Sequence, residues 1–401
     1  MNQNVMTIYP AGTTNFDYQG YGTLYDAYSA EVTEASSTNG NITETMEITY
    51  PVNGVLSDKM VEGNLVKAQI SKTDGDYQIF EIDETEKSDN TVITAYLNAY
   101  PYRVLRMSFT NGGKFAKFET LTRLLDYAKS YMPDLPTDFK ITTNISNPIN
   151  LAQTQTDPSL TPVPTVFKDF SSLLDAILNK VSGQVKFGPR SIEILAHRGQ
   201  DKSNIELRDD KNTNGISVKI DTTNIVNKII PLLPVKDKDG NSTSETIVGR
   251  IVTPKDPFRF INFYSGQVVN VDTQDLADSY FSRTNCNYPV TTATVTTSMI
   301  DEDLSDIRLF DVVSVYSSRI NYTAKLKVSE RVFDVLAGAV ESFKLGTSSV
   351  NVFSTQTAAM NQVEQAVAIG NQALTSANGK NTNYYGDSKP TDGKEGDIWF
   401  H

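Results

Sequence analysis

Two histidines, His197 and His401, and one cysteine, Cys286, are all that this 401-residue chain offers to nucleophilic or transition-metal chemistry. A serine or cysteine nucleophile normally needs a histidine base beside it. His197 is the one internal candidate, and Ile194-Leu195-Ala196-His197-Arg198-Gly199 puts it at the end of a hairpin strand, where it reads as a structural or surface residue. Structural zinc needs several Cys or His ligands, and the His-Glu-x-x-His spacing needs two histidines on one helix face, so both are excluded. A lone cysteine closes no intrachain disulfide.

Carboxylates are more plentiful. Glycoside hydrolysis needs only two of them, and 48 Asp and Glu keep that class open by count. The densest group, Asp301-Glu302-Asp303, falls in a connection between strands, where charge is ordinarily solvated, and nothing beside it suggests a closed apolar pocket. Asp237-Lys238-Asp239-Gly240-Asn241 with Glu245 superficially looks like a calcium loop, but glycine stands fourth and glutamate ninth where an EF-hand needs sixth and twelfth. An Asp-Gly hairpin turn accounts for it better. Gly20-Tyr21-Gly22 lacks the third glycine and the following helix of a phosphate-binding loop. The chemistry-bearing residues therefore point away from an enzyme, and to no cofactor and no metal.

Length and charge narrow the class further. At about 150 residues per domain the chain has room for two to four domains. Its formal charge of −12 gives little support to a counterion-release grip on nucleic acid, so proteins or sugars are the expected partners. The first residues show no basic stretch followed by an apolar one, and no window of 18 apolar residues occurs, so neither a classical secretory signal nor a membrane span is expected.

Period-two alternation dominates the elements. From Tyr25 to about Thr110, Ile42, Met46, Ile48, Tyr50 and Val52 alternate with polar residues after an Asn39-Gly40-Asn41 turn, and strand-like runs follow at 65–70, 77–82 and 92–96. A small barrel or sandwich is the expected result over residues 1–110. Phe115, Phe118, Leu121, Leu124, Leu125 and Ala128 then fall on one helical face, and Phe170, Leu173, Leu174, Ile177 and Leu178 on a second, with a hairpin around Gly188-Pro189. Residues 111–207 thus read as an inserted α+β domain. Strands return at 215–220, 291–297, 311–316, 324–328 and 342–345, giving a second β-rich block from 208–235 with 285–350 around a β-rich insertion, 236–284. The fold class expected is α+β, mostly β, with two similar small β-barrels.

Beyond residue 350 the character changes. Met360, Val363, Val367, Gly370, Leu374 and Ala377 follow the three-four spacing of a coiled-coil seam over a helix at 351–378. Fewer than three heptads hardly hold together alone, so the helix either extends an existing oligomer or packs on its own chain. Residues 379–401 read as a linker, and the apolar Ile398-Trp399-Phe400 suggests a chain that continues.

Several landmarks resemble a known family. Tyr50-Pro51-Val52-Asn53-Gly54, Glu62-Gly63-Asn64-Leu65-Val66-Lys67-Ala68 and Gln78-Ile79-Phe80-Glu81-Ile82 are similar to the N-terminal barrel of phage tail-associated hub proteins, the prophage endopeptidase tail (tail-associated lysozyme) family. Asp221 to Pro231 looks like the entry to that family's second barrel. Leu309-Phe310-Asp311-Val312-Val313-Ser314-Val315, Phe333-Asp334-Val335-Leu336 and Phe343-Lys344-Leu345-Gly346 look like its close. The sequence departs at Phe310, where the family commonly has glycine.

That resemblance implies a structural hub of a phage tail tip or baseplate. It implies a homotrimer presenting six barrels to the distal tail protein hexamer, with the tape measure protein and other baseplate or receptor-binding proteins as further partners. DNA would pass through without sequence-specific binding, and C-terminal modules would follow for attachment and host cell entry. The place implied is the virion tail tip, after synthesis in the bacterial host cytoplasm. The alternatives are a peptidoglycan hydrolase using carboxylates and a saccharide-binding module using some of the 19 Tyr and 18 Phe.

Ala and Gly bury little area at the seam, so the barrels must carry most of any trimer. Val363→Asp with Val367→Asp should fray the terminal helix while the assembly persists. Limited proteolysis should then cut faster after residue 350 at an unchanged sedimentation coefficient.

Overall fold

Alternating burial builds the strands. Residues 6–346 are described by this computed structural model apart from 38, 72–75, 89–90, 153–162, 237–241, 256–265, 272, 285 and 298–301, together with 383–385 and 398–400. The first block holds β1 (Thr7–Tyr9), β2 (Gly22–Thr23), β3 (Ser29–Ser36), β4 (Ile42–Pro51), β5 (Leu65–Gln69), β6 (Tyr77–Ser88) and β7 (Val92–Ala99). In β4, Ile42, Met46, Ile48 and Tyr50 enter the core and Thr43 and Glu47 face solvent, as the period-two pattern requires.

The unit that follows contains α1 (Pro101–Leu105), β8 (Lys114–Phe115), β9 (Lys117–Phe118), α2 (Leu121–Ser130), β10 (Lys140–Thr143), β11 (Ile149–Asn150), β12 (Thr165–Val166), α3 (Phe170–Val181), β13 (Gln184–Gly188) and β14 (Ser191–Leu195). The second block runs through β15 (Asp201–Arg208) and β16 (Thr213–Asp221), and resumes at β20 (Val290–Thr297), β21 (Val312–Ser317), β22 (Tyr322–Asp334) and β23 (Ala339–Gly346). Between these parts lie β17 (Ile229–Lys236), β18 (Ser242–Val248), β19 (Gln267–Asn270), α4 (Gln274–Asp278) and α5 (Tyr280–Thr284), with a small core of their own around Ile229, Val269, Tyr280 and Phe281. Near the end, β24 (Asn383–Tyr385) pairs in parallel with β25 (Ile398–Phe400).

The mostly-β class holds, but the expected closed barrels are replaced by one open sheet of 13 strands. Its order is β16-β20-β23-β22-β3-β4-β7-β6-β5-β1-β2, with β21 and then β15 branching from β22. After a bulge between Val328 and Glu330, β22 pairs Glu330 to Asp334 with Ala35 to Glu31 of β3. A strand edge committed to the neighbouring block is not free to close a barrel on its own block.

The two blocks repeat one plan. β3-β4-β7-β6-β5-β1 and β16-β20-β23-β22-β21-β15 agree in spatial order and in chain order. The bulge in β22 has its counterpart in β6, between Ile82 and Glu84. One difference remains: β1 runs antiparallel to β5, whereas β15 runs parallel to β21.

The α+β unit is clamped onto the sheet. Asp169 and Ser172 form a capping box that starts α3, and Phe170, Leu173, Leu174, Ile177 and Leu178 are buried along its inner face, each worth roughly 1.5–3 kcal/mol. Asp175 on that helix accepts hydrogen bonds of 2.9 Å from both Asn39 and Asn41 at the tip of the β3–β4 hairpin. Gly40 has φ +80°, and a Cβ there would sit 2.1 Å from the Gly183 carbonyl oxygen, so the hairpin tip admits only glycine. Phe115 and Phe118, expected on the first helix, lie instead in β8 and β9. Thr120 caps α2 through the Arg123 N–H, so the helix begins after them, and Phe115 packs against Phe109, Tyr127 and Phe167. Strand β15 was not expected at all. It carries Asp201, Lys202, Ser203 and Asn204 in succession, which masks any alternation.

Phe310 has φ +72°, a conformation in which glycine is at ease, so the residue type expected from the resemblance fits the backbone seen. The strained turn is held from both sides. Phe310 N donates to Val328 O, the Arg198 guanidinium lies over its ring at 5.7 Å, and Gly199 packs so close that a Cβ would be 1.9 Å from the Phe310 carbonyl oxygen.

Charged residues are buried where the blocks meet. Glu44 of β4, Glu34 of β3 and Arg331 of β22 stand directly opposite one another, and all three face inward. Arg198, from the end of the α+β unit, forms an ion pair with Glu34, and Gln78 of β6 donates to Glu44 at 2.8 Å. Burial, then the Glu34 charge, pushes the Glu44 carboxyl up to about 8, against the pull of Gln78, Arg198 and Arg331. Burial lowers Arg331 to about 10, with Arg308 adding to the effect.

A carboxyl raised in the folded state keeps its proton where the unfolded chain has lost it, so its contribution falls as pH rises from about 4.5 towards 8. The slope is at most about 1.4 kcal/mol per pH unit. Glu44→Gln should flatten that part of the stability-versus-pH curve and raise the melting temperature at pH 8 relative to wild type. Chemical denaturation from pH 5 to 8 reads the first effect and thermal melting at pH 8 the second.

Candidate functional site

Register decides what the outer face of the long sheet displays. Asp334 pairs with Glu31, Glu31 with Glu47, Glu47 with Tyr96, and Tyr96 with Glu84, so one row crosses β22, β3, β4, β7 and β6. It holds four carboxylates, one phenol and no cation. Hydroxyls flank it: Thr33 stands opposite Thr45, and Thr49 opposite Thr94.

Like charges directly opposite one another destabilise a sheet, and the titrations record the strain. Burial, then Glu341, Glu47 and Asp334, raises the Glu31 carboxyl above its ordinary value. Desolvation, then Glu47, Glu86 and Glu84, raises the Tyr96 phenol. The corresponding row of the second block reads Ser217, Thr294, Lys344 and Glu330, and there Lys344 neutralises Glu330 at 2.7 Å. Acidity is therefore concentrated on the first block. The row itself, hydroxyl-flanked with excess negative charge, repels a polyanion and holds no cation for it.

The residues weighed for catalysis are scattered. His197 is exposed in the loop after β14. Cys286 is half-buried, its thiol accepts from the Thr284 hydroxyl at 3.3 Å, and burial pushes the thiol up, away from a reactive thiolate. Glu302 begins a short 3-10 helix, Glu302–Asp306. Asp301 and 237–241 lie outside the described residues, as do Met360, Val363, Val367, Gly370, Leu374 and Ala377 of the expected seam. An open hollow of about 470 Å³, lined by Ile205 and otherwise by polar residues such as Lys202, Asn204, Glu206, Lys211 and Asp306, is mostly polar-walled. Among the described residues no group of three or more metal-ligating side chains is gathered, and no helix is long and apolar enough to cross a membrane.

Sequence reasoning missed the acidic row because its members come from five strands. The alternation in β4 marks Glu47 as outward, but only the pairing places it beside Glu31 and Tyr96. The N-terminal tyrosines were counted without being located. Tyr18, Tyr21, Tyr25 and Tyr28 are exposed on the segment around β2.

No family model matches the chain, and no curated protein matches it. Solved structures do. Prophage tail protein gp18 from Listeria monocytogenes EGD-e aligns over 91% of this chain and 99% of its own, with a TM-score of 0.55 at 14% identity. The 43 kDa tail protein of prophage MuSo2 from Shewanella oneidensis aligns over 86% and 98%, with a TM-score of 0.56 at 14% identity. A tail protein from Neisseria meningitidis MC58 aligns over 86% and 96%, with a TM-score of 0.52 at 10% identity. The chain shares the fold of these prophage tail proteins along nearly its whole length.

Reversing the charge of the row should convert the face. Glu31→Lys with Glu47→Lys is expected to gain salt-sensitive binding to duplex DNA, while the wild type shows none at about 0.1 M salt, where screening already shortens charge interactions to about 10 Å. Fluorescence anisotropy with a labelled duplex measures the difference.

Proposed function

We propose that this chain is a structural subunit of a phage tail, the hub of the tail tip or baseplate. In this reading three copies form a ring that docks on the distal tail protein hexamer and closes the tail tube. The ring meets the tape measure protein and other baseplate or receptor-binding proteins, and carries C-terminal modules that serve attachment and host cell entry. The observation that carries the reading is the repeat. Two blocks of one strand order in a single chain give three chains six similar units, which matches a three-fold hub to a six-fold ring. The shared fold with prophage tail proteins supports the same assignment.

The acidic face gives the reading a mechanism. Turned towards the axis of a ring, Glu31, Glu47, Glu84 and Asp334 with their threonine neighbours would line a conduit through which DNA slides without adhering. The work of the protein is then geometric and electrostatic, and no bond of a substrate is made or broken.

A second reading has its own observation. Tyr18, Tyr21, Tyr25 and Tyr28, exposed together near β2, could stack on sugar rings, and a glycan titration with their alanine variants tests it.

The hub reading is tested in the virion. Antibodies raised against the protein should label the tail tip in electron micrographs, and a nonsense mutant should accumulate heads without functional tails. Labelling along the tail shaft or on the capsid would contradict it. On purified cell walls the isolated protein should release no peptidoglycan fragments.

A further inference from the structure

The small sheet β17–β18–β19 is apolar on both faces, and only one of them is covered. Residues 229–235, Ile-Ile-Pro-Leu-Leu-Pro-Val, form an unbroken apolar run, the pattern of a strand buried from both sides. Pairing sorts them. Ile229, Pro231 and Leu233 share one face with Val269 and Ile247, whereas Ile230, Leu232 and Pro234 share the other with Val268 and Val248. The first face is packed. Ile229 and Val269 join Tyr280 and Phe281 in a core, and a Cβ on Gly249 would meet both Leu233 and Gln274 of α4. The second is open, with Val248 64% and Val268 50% exposed.

Charge is divided between the faces in the same way. A Cβ on Gly266 would touch the side chains of both Lys228 and Ile230, so that lysine stands in the row of the open face. Alternation brings Lys236 to the other end of the row, two residues after Pro234. Thr246 and Asn270 complete the face, and Glu245, next to Thr246, alternates away from it. Among the described residues the open face holds no carboxylate, while Asp275 and Asp278 stand on α4 at the covered side. A chain of formal charge −12 has thus flanked one apolar face with cations.

We propose that this open face rests on an anionic membrane surface, with Ile230, Leu232, Val248 and Val268 entering the headgroup boundary and Lys228 and Lys236 reaching the lipid phosphates. Apolar burial and attraction to anionic lipid add in such a contact, and a lysine can lay its stem along the apolar surface while its ammonium meets the headgroups. The size of the face favours lipid over a protein. Its apolar part spans about 14 Å across three strands and about 17 Å along them, roughly 240 Å², against about 800 Å² per partner in a stable protein interface. Among the described residues it also lacks the aromatic and arginine anchors on which protein interfaces depend. The inference goes beyond the hub reading and does not rest on it.

The test floats the full chain with lipid vesicles on a density gradient. Wild type should rise with vesicles of equal parts phosphatidylglycerol and phosphatidylcholine, and stay at the bottom with phosphatidylcholine alone. Lys228→Ala with Lys236→Ala should weaken binding about 30-fold, the effect of two lysines at an anionic surface. Val248→Asp with Val268→Asp should abolish it, and Ile247→Asp, one residue away on the other face, should leave it unchanged. Circular dichroism establishes folding. Val248→Thr with Val268→Thr, which keeps branched side chains in the strands, replaces the aspartates if they unfold the insertion, and should also reduce binding. A wild type that floats with neither vesicle, or equally with both, overturns the inference, as does an equal loss from Ile247→Asp. A lower sedimentation coefficient for the Val248 and Val268 variant, with no vesicle binding by wild type, also overturns it and assigns the face to contact between copies. The hub reading is tested separately, by labelling in the virion.

Discussion

The two blocks join into one sheet at a junction that buries an arginine. Arg331 of β22 lies opposite Glu34 of β3, Glu34 lies opposite Glu44 of β4, and Arg198 reaches Glu34 from the α+β unit. Removing one partner of the buried Arg198–Glu34 ion pair strands the other and costs about 3–5 kcal/mol, whereas an apolar replacement of the pair can be neutral. Its value therefore lies less in stability than in register. Arg331 donates to Ile70 O at 3.0 Å and Arg198 pairs with Glu34, and both contacts belong to the one alignment seen.

That register fixes the outer face as well. Side chains alternate across a sheet, so a slip of one residue at the β22–β3 junction would turn Arg331 to solvent and bring Asp334 and its row out of line. The buried charges and the exposed carboxylate row are consequences of a single alignment, read on opposite faces. The bulges at β6 and β22 belong to the same constraint. Beyond its bulge β22 reaches β3 of the other block, whereas β6 beyond its bulge stays paired with β7.

Much of the fold was legible where residues alternate cleanly. The strands at 42–51, 290–297 and 312–317 follow from β-branched residues at period two, and the helix at 170–181 from its apolar face and capping aspartate. Glu44 was passed over, although a carboxylate at a core position of an alternating strand is a signal for either a partner or a raised pKa. The open sheet was not legible, because pairing between residues 31–35 and 330–334 depends on contacts some 300 residues apart that leave no local pattern. Phe115 and Phe118 misled for the converse reason. Their spacing fits a helix face, and only the tertiary aromatic cluster holds them in short strands.

The central claim is that the two blocks of one chain occupy equivalent positions in a closed ring. Electron cryomicroscopy of the assembled protein, at a resolution that traces strands, tests it most directly. The account predicts a ring in which blocks alternate around the axis and the carboxylate row faces the central channel. Copies that meet through their α+β units, with the carboxylate row on the outside, would contradict it.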